Sequence, residues 1–387
     1  MRRLVLFVAC IVFTDTMFYA AITPLLPELS DRFELSKTGA GILAAAYPAG
    51  TLLGSFPGGW MASRFGVRPT VIAGLALLVA SSVAFAFAGS IMVLDVARFA
   101  QGLGGAASWA GAFGWLIGAA PRERRAELIG TALAAAVGGA LFGPVLGAAA
   151  DALGQEPIFG AVAVAGVAMM VWATRMESVA PAAATSFKLL MASLADRRVA
   201  AGMWLTTLPS VLFGTVAVLA PLRLDELGAG SVAIAAAFLV GAALEATVAP
   251  VVGRLADRRG RLVPSVMGVA GGALAMLLLP WPEDAWLLGI LVVLAAPAIG
   301  ILYTPAMAML SDGAEAFGVA QGFAFALVNL AWGTGQALGD AGSARLADAV
   351  GDRVPYLILA GISTLTLAVL ARELARRSPA RPVPSRP

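Results

Sequence analysis

The chain has 387 residues, 60% of them hydrophobic and 13% charged, with a formal net charge of +3 and a mean hydropathy of +0.88. Soluble globular domains average about 25% charged residues, so this balance excludes a water-soluble fold and places most of the surface in lipid. There is no histidine and one cysteine, Cys10. That excludes His-based catalysis and an intrachain disulfide, and no cluster of metal-ligand residues is present.

Twelve runs reach the ~20 apolar residues that a bilayer span needs: 4–27, 38–61, 69–88, 91–118, 128–150, 156–174, 199–221, 229–253, 262–281, 285–309, 316–339 and 354–372. The first has the outline of a secretory leader, but it holds an acid and continues to Pro27, so it is expected to remain as a span. Asp15 stands about eleven residues into it, roughly 16 Å from its start at 1.5 Å per residue, which is near the midplane. A carboxylate at that depth is either satisfied by a neighbour (Arg98, Thr14 or Thr16) or free to take up and release protons.

Between runs two and three lies GWMASRFGVR at 59–68, and between runs eight and nine GRLADRRGRL at 253–262. Gly59 and Gly253, Ala62 and Ala256, Arg64 and Arg258, Gly66 and Gly260 recur about 194 residues apart, whereas Ser63 stands where the second copy has Asp257. In run four, LDVARFAQGLGGAA, Arg98 and Gln101 lie one turn apart and face the same way. A buried arginine needs a partner, and Asp95, one turn earlier, is the nearest candidate. The GLGGAA piece mimics a dinucleotide loop, but it sits inside a span with no strand before it. In run five Thr131, Ala135, Gly139, Gly143 and Gly147 recur every four residues, a smooth face that lets helices approach closely. Pro144 within it removes a backbone hydrogen bond and is expected to kink the helix.

The segment 175–198 divides the chain into six runs and six: one bundle over 1–174, a linker over 175–198, a second bundle over 199–373 and a basic, Pro-rich tail over 374–387 expected to be disordered. GALFGPVLGA at 139–148 is echoed by GQALGDAGSA at 335–344, about 196 residues on. Equal offsets at two places argue for a duplicated six-helix unit, with a binding site between the halves near mid-membrane. Glu245, in run eight, lies roughly 12 Å from Gly253, too deep for a short acid to reach water easily. It is either a second proton or cation site or a structural acid. Asp340 occupies the place of Pro144 in the repeat and, close to the outer end of run eleven, is expected to be a solvated helix-end residue.

Twenty of the 26 Lys and Arg fall on the side that holds both termini, five on the other, and Arg98 lies inside a span. The positive-inside rule then puts both termini in the cytoplasm of a plasma-membrane protein. The sequence pI of 9.4 is a topology signal, with no basic soluble domain for nucleic acid.

The motif G-x-L-A-D-R-x-G-R at 253–261 resembles the loop signature of the major facilitator superfamily, and the likeness extends over twelve spans in two halves. It implies an all-α membrane protein of two pseudo-symmetric six-helix bundles. It also implies a cytoplasmic latch built on Gly59, Ser63, Arg64 and Gly66 and on Gly253, Asp257, Arg258, Gly260 and Arg261. With Ser63 in place of the acid, the latch of the first half is expected to be weaker. R-x-x-Q-G at 98–102 resembles a motif of the same superfamily whose Arg contacts the first helix and takes part in proton coupling. G-x-x-x-G-P-x-x-G at 139–147 resembles the antiporter motif of its drug–proton exporters, where the glycine face packs between the halves; Ala148 departs from the final Gly. D-x8-P-x-x-P from Asp15 to Pro27 is similar to first-helix segments of drug–proton exporters and vesicular amine transporters. The resemblance implies cavity walls from spans one, four, seven and ten, with Trp109, Phe113, Trp115, Trp204, Phe213, Tyr303 and Met307 as candidate apolar lining and Thr206, Thr207, Ser210 and Thr304 as sparse polar lining.

The expected function is proton-coupled efflux of small amphiphilic, drug-like and mainly cationic compounds by a monomer without cofactor or metal. Asp15, Arg98, Asp95, Gln101 and Glu245 are the coupling or substrate residues. A facilitator or exporter of sugars or other polar metabolites, without strict proton coupling, is the alternative. An enzyme is not expected.

Overall fold

The computed structural model describes residues 1–121, 124–177, 179, 192–317 and 321–377, with the side chains of 125–127, 257, 321–325 and 377 excepted. Residues 122–123, most of the 175–198 linker and 378–387 of the tail therefore lie outside the described residues, as does the side chain of Asp257; residues 374–377, expected in the disordered tail, instead continue the last helix.

Twelve helical spans follow one another among the described residues, in two groups of six. Span one is Arg2–Ala20 and Ile22–Arg32, span two Lys37–Arg64, span three Val67–Ala86, span four Ile91–Ala119, span five Arg125–Leu153 and span six Gln155–Thr174. Span seven is Arg197–Glu226, span eight Ser231–Arg259, span nine Leu262–Leu278, span ten Ala285–Gly300 with Tyr303–Ala316, span eleven Gln321–Ala337 continuing to Val350, and span twelve Arg353–Arg377. Among the described residues, nine helices are long and apolar enough by themselves to cross a membrane. Large apolar side chains such as Leu53, Phe87, Val164, Val232 and Leu365 stand exposed along the helices, as lipid contact demands. Trp60 at one end of the bundle and Trp281 and Trp286 at the other are exposed too, where amphipathic rings favour the two membrane–water interfaces.

Local sequence explains the ends and breaks. Ser36, Asp196 and Asp284 cap spans two, seven and ten by accepting hydrogen bonds from Gly39 N–H at 3.2 Å, Arg198 N–H at 2.8 Å and Leu287 N–H at 2.9 Å. Pro24 and Pro305 follow the breaks in spans one and ten, since proline withholds the N–H that would continue the ladder. Span eleven is interrupted by a π-turn at Leu338–Gly342. The duplication shows in the backbone. Gly66 (φ 97°) and Gly260 (φ 79°) turn the chain at equivalent places, and Gly154 (φ 93°) and Gly351 (φ 95°) repeat the device. At the first pair a side chain in the left-handed region would be strained.

The two charged segments are less loop than the sequence implied. Gly59, Ser63 and Arg64 belong to span two, and Gly253, Asp257 and Arg258 to span eight; only Gly66, Gly260 and Arg261 stand in the turns. A charged residue ends an apolar run without ending a helix.

The halves meet firmly at the end opposite the termini. Lys37 of span two pairs with Asp352 at 2.5 Å and Glu226 at 3.3 Å. Thr38 N–H and hydroxyl donate to Asp348 at 2.7 and 2.5 Å, and Ser231 donates to Asp151 at 2.5 Å. Partly exposed pairs of this kind contribute roughly 0.2–1 kcal/mol each. Lys37→Met is therefore expected to shift the closed-to-open ratio at this end by about fivefold. Distances between spin labels placed at the 33–36 and 351–352 turns would report it; an unchanged distribution would show that the apolar contacts alone keep this end shut.

Candidate functional site

Span four is held between spans two and three by glycines. A Cβ at Gly102 would run into the Tyr47 carbonyl, at Gly104 into span three, and at Gly50 into the Phe99 carbonyl. The GLGGAA run is therefore packing, as small residues in lipid allow. Because the backbones come so close, residues of spans one, two and four share one buried cluster.

Asp15 lies at its centre, 3% exposed. Its Oδ2 accepts hydrogen bonds from Tyr47 OH at 2.8 Å and Trp109 Nε1 at 2.9 Å, while Oδ1 has no hydrogen-bond partner among the described residues. None of the candidates Arg98, Thr14 and Thr16 hydrogen-bonds to it; Arg98 acts on it only through its charge. Thr16 donates to the Val12 carbonyl at 2.8 Å. Gly105 makes the room: a Cβ there would lie 3.0 Å from both Asp15 oxygens.

Arg98 is 1% exposed and Gln101 fully buried. Arg98 Nη1 donates to Gln101 Oε1 at 2.9 Å and Nη2 to the Tyr19 carbonyl at 3.3 Å. Its guanidinium lies 5.3 Å from the Tyr47 ring and 5.7 Å from the Tyr19 ring, so π-faces and a carbonyl do the work expected of a carboxylate. Asp95 does not: it is half-buried near the start of span four, its Oδ1 without a hydrogen-bond partner among the described residues. The two lie one turn apart on the same helix, but the guanidinium is drawn to Gln101 and to the groups that spans one and two contribute.

The rings of Tyr19 and Tyr47 meet at 4.7 Å, tilted by 35°, and Trp332 of span eleven meets both edge-on, at 5.6 and 6.4 Å. This aromatic group bridges the halves, and two of its members, Tyr19 and Trp332, are shared by two chambers. The smaller, about 240 Å³, is lined by Asp15, Tyr47, Thr51, Trp109, Ala136 and Asn329, among others. The larger, about 430 Å³, is lined by Pro144, Phe213, Phe238, Glu245, Tyr303 and Asp340, among others. Tyr19, Met307 and Trp332 belong to both.

Glu245 sits midway along span eight, about 21 Å from either end, with its carboxyl against Gly300 so closely that a Cβ there would overlap it. Asp340 is the main correction to the sequence reading. It is 2% exposed, lies in the π-turn and accepts a hydrogen bond from Gln336 Nε2 at 3.1 Å. The apolar run stops at residue 339, but the helix continues to Val350, which leaves Asp340 about 15 Å below that end. Its signal was the repeat itself, since it occupies the position of Pro144. Gly214 of span seven leaves space for its carboxyl as Gly105 does for Asp15.

The glycine face of span five meets span one of its own half, not the other half. Cβ atoms at Gly139, Gly143 and Gly147 would strike the Phe13 carbonyl, Ala20 and the Ala21 carbonyl. Gly335 and Gly339 of span eleven face span seven in the same way. The helix runs unbroken through Pro144, which faces the larger chamber. Of the candidate lining, Trp109, Phe213, Tyr303 and Met307 line the chambers. Phe113 is buried, Trp115 is core and donates to the Glu177 carbonyl at 2.9 Å, and Trp204 and Thr304 are exposed. Thr206 and Thr207 bond to the Gly202 and Ala331 carbonyls, and Ser210 to the Thr206 carbonyl and Tyr303 OH. Tyr19, Tyr47, Phe238 and Trp332 were missed, because only packing distinguishes a lining aromatic from a core one.

At the charged segments, Ser63 donates to the Trp60 carbonyl of its own helix at 2.8 Å. Arg64 and Arg258 are exposed, and Arg261 pairs with Asp312 at the end of span ten. No described atom lies within 4 Å of a Cβ built at Gly59 or Gly253. Gly59→Ala and Gly253→Ala are thus expected to leave thermal stability unchanged or raise it by up to about 1 kcal/mol. A loss in unfolding scans would reveal a contact at these helix ends.

A family model described as Major Facilitator Superfamily matches residues 8–326. The chain belongs to that superfamily. Membership places it among transporters and not among enzymes. This superfamily chain is 32% identical over 145 residues to the MFS-type transporter ppzB of Metarhizium rileyi, covering 36% of the chain and 30% of that protein. It is 31% identical over 175 residues to a class E tetracycline resistance protein of Escherichia coli, covering 44% and 43%. The matched stretches thus span less than half the length of either relative. A solved D-xylose-proton symporter superposes with a TM-score of 0.75 at 18% identity, covering 95% of this chain and 96% of that one, which shows the shared major facilitator fold.

Proposed function

We propose that this transporter exports small amphiphilic, mainly cationic compounds in exchange for protons, by alternating access across the plasma membrane. One observation carries the reading: a mid-membrane carboxyl, Asp15, with one oxygen held by two donors and the other free, opening into an apolar and aromatic cavity between the halves. Such a group takes up a proton when the cavity faces one side and releases it when the cavity faces the other, so its charge changes with each half-cycle. The tetracycline resistance relative supports a drug-like substrate, and the charge bias of the turns supports cytoplasmic termini.

In this cycle Asp15 is deprotonated when the cavity opens to the cytoplasm, substrate enters, the halves rock, and a proton from outside drives release. Arg98, held by Gln101 and the two tyrosine rings, keeps spans one, two and four in register beside Asp15. The segments around Gly59–Gly66 and Gly253–Arg261 act at the cytoplasmic gate. Each chain contains both halves of the cavity, so a monomer suffices.

The test is proton movement in proteoliposomes carrying an internal pH dye, as lipophilic cations, anions, neutral drugs and sugars are added in turn. Proton movement evoked by lipophilic cations is the expected result. Substrate counterflow with no proton movement for any compound would sink antiport and leave a facilitator.

A further inference from the structure

The two chambers differ in a way that divides labour between them. Ligand pockets for drug-sized molecules occupy about 300–1,000 Å³. The Asp15 chamber, at about 240 Å³, falls below that range, and the other, at about 430 Å³, falls within it. Asp15 also has one oxygen already committed to Tyr47 and Trp109. The larger chamber presents two carboxyls from different spans, Glu245 and Asp340, in a wall that is otherwise mostly apolar. Its aromatic faces include Phe213 and Tyr303, stacked at 5.9 Å and 21°, with Trp332 and Tyr19 at the partition.

We propose that the larger chamber is the substrate site, that it takes a monovalent organic cation bearing aromatic rings, and that Asp15 behind the Tyr19–Trp332–Met307 partition is reserved for the proton. Glu245 and Asp340 supply the negative charge that the cation meets in this wall, and the rings of Phe213, Tyr303 and Trp332 receive its aromatic body, an arrangement in which cation–π attraction adds to apolar burial. Two separate compartments let proton and substrate be bound on different carboxyls. The Tyr19, Tyr47 and Trp332 group connects them, since Tyr47 donates to Asp15 and Trp332 faces both chambers. This assignment rests on the reading of the chain as an exporter of organic cations.

The probe is tetraphenylphosphonium, bound at equilibrium to the full chain in detergent. Glu245→Gln and Asp340→Asn are each expected to weaken binding about tenfold, and Asp15→Asn to leave it within about twofold. A second measurement leaves the acids untouched. In a Cys10→Ser background, Ala242→Cys reports on the larger chamber and Ala136→Cys on the smaller. Tetraphenylphosphonium is expected to slow thiol labelling at Ala242→Cys and not at Ala136→Cys. Protection at Ala136→Cys alone, with binding lost only in Asp15→Asn, would overturn the assignment and leave proton-coupled cation export standing. A wild-type chain that binds no tetraphenylphosphonium would overturn both.

Discussion

Asp15→Asn is expected to abolish substrate-driven proton movement, lowering its rate by about 10²-fold or more, while folding is preserved. Asparagine keeps the size of the side chain and one acceptor for Tyr47 and Trp109, so the loss would be one of titration and not of shape. The neighbours should behave differently. Tyr47→Phe and Trp109→Phe each remove one donor to Oδ2, and a hydrogen bond to a charged acceptor contributes about 1.5–3 kcal/mol. Each should slow coupled transport by about tenfold without abolishing it. Proteoliposomes with an internal pH dye measure all three beside wild type. Full proton movement in Asp15→Asn would transfer the role to Glu245 or Asp340, the other two acids at mid-depth.

Gly143→Val should cost the fold itself. The seam between spans one and five has no space beyond glycine at 139, 143 and 147, and at Gly143 the added atom meets Ala20 just before the break in span one. Overpacking by even a methyl costs about 1–3 kcal/mol, a large part of a typical stability of about 5–15 kcal/mol. Alanine is therefore expected to lower the unfolding temperature measurably, and valine to remove most of the monodisperse protein. Size-exclusion profiles and thermal scans of the two variants, with Gly59→Ala as the unaffected control, decide it. A Gly143→Ala chain of unchanged stability but no transport would mean that the glycine serves motion between states and not close packing.

Much of the site is legible in the amino-acid sequence. Asp15, Glu245, Arg98 and Gln101 stand out because a polar residue inside an apolar run is costly and seldom accidental. The packing glycines of span five stand out because their spacing is that of one helix face. Where sequence and structure part, the causes are physical. Asp95 is the partner of Arg98 by spacing, one turn away, yet the guanidinium turns to rings and a carbonyl contributed by spans one and two. Asp340 is solvated by hydropathy, which falls after residue 339, yet helices extend beyond their apolar stretch when their polar residues face other helices. Thr304 and Trp204 belong to the cavity by the span that carries them; the face they occupy on that span turns them out.

That the chain lives in lipid, crosses twelve times and repeats its first half in its second is legible in the order of its residues. Those properties are written in local composition and in spacing along one chain, and neither depends on which helix lies beside which. The tertiary structure alone decided that Tyr47 and Trp109, 32 and 94 residues away from it, hold one oxygen of Asp15 and leave the other free. It alone placed Asp340 with Glu245 in one chamber and set an aromatic partition between that chamber and Asp15. In lipid the apolar faces of all twelve helices look alike to the solvent, so neighbours are chosen by the fit of small residues against bulky ones, and that fit exists only once the bundle has closed.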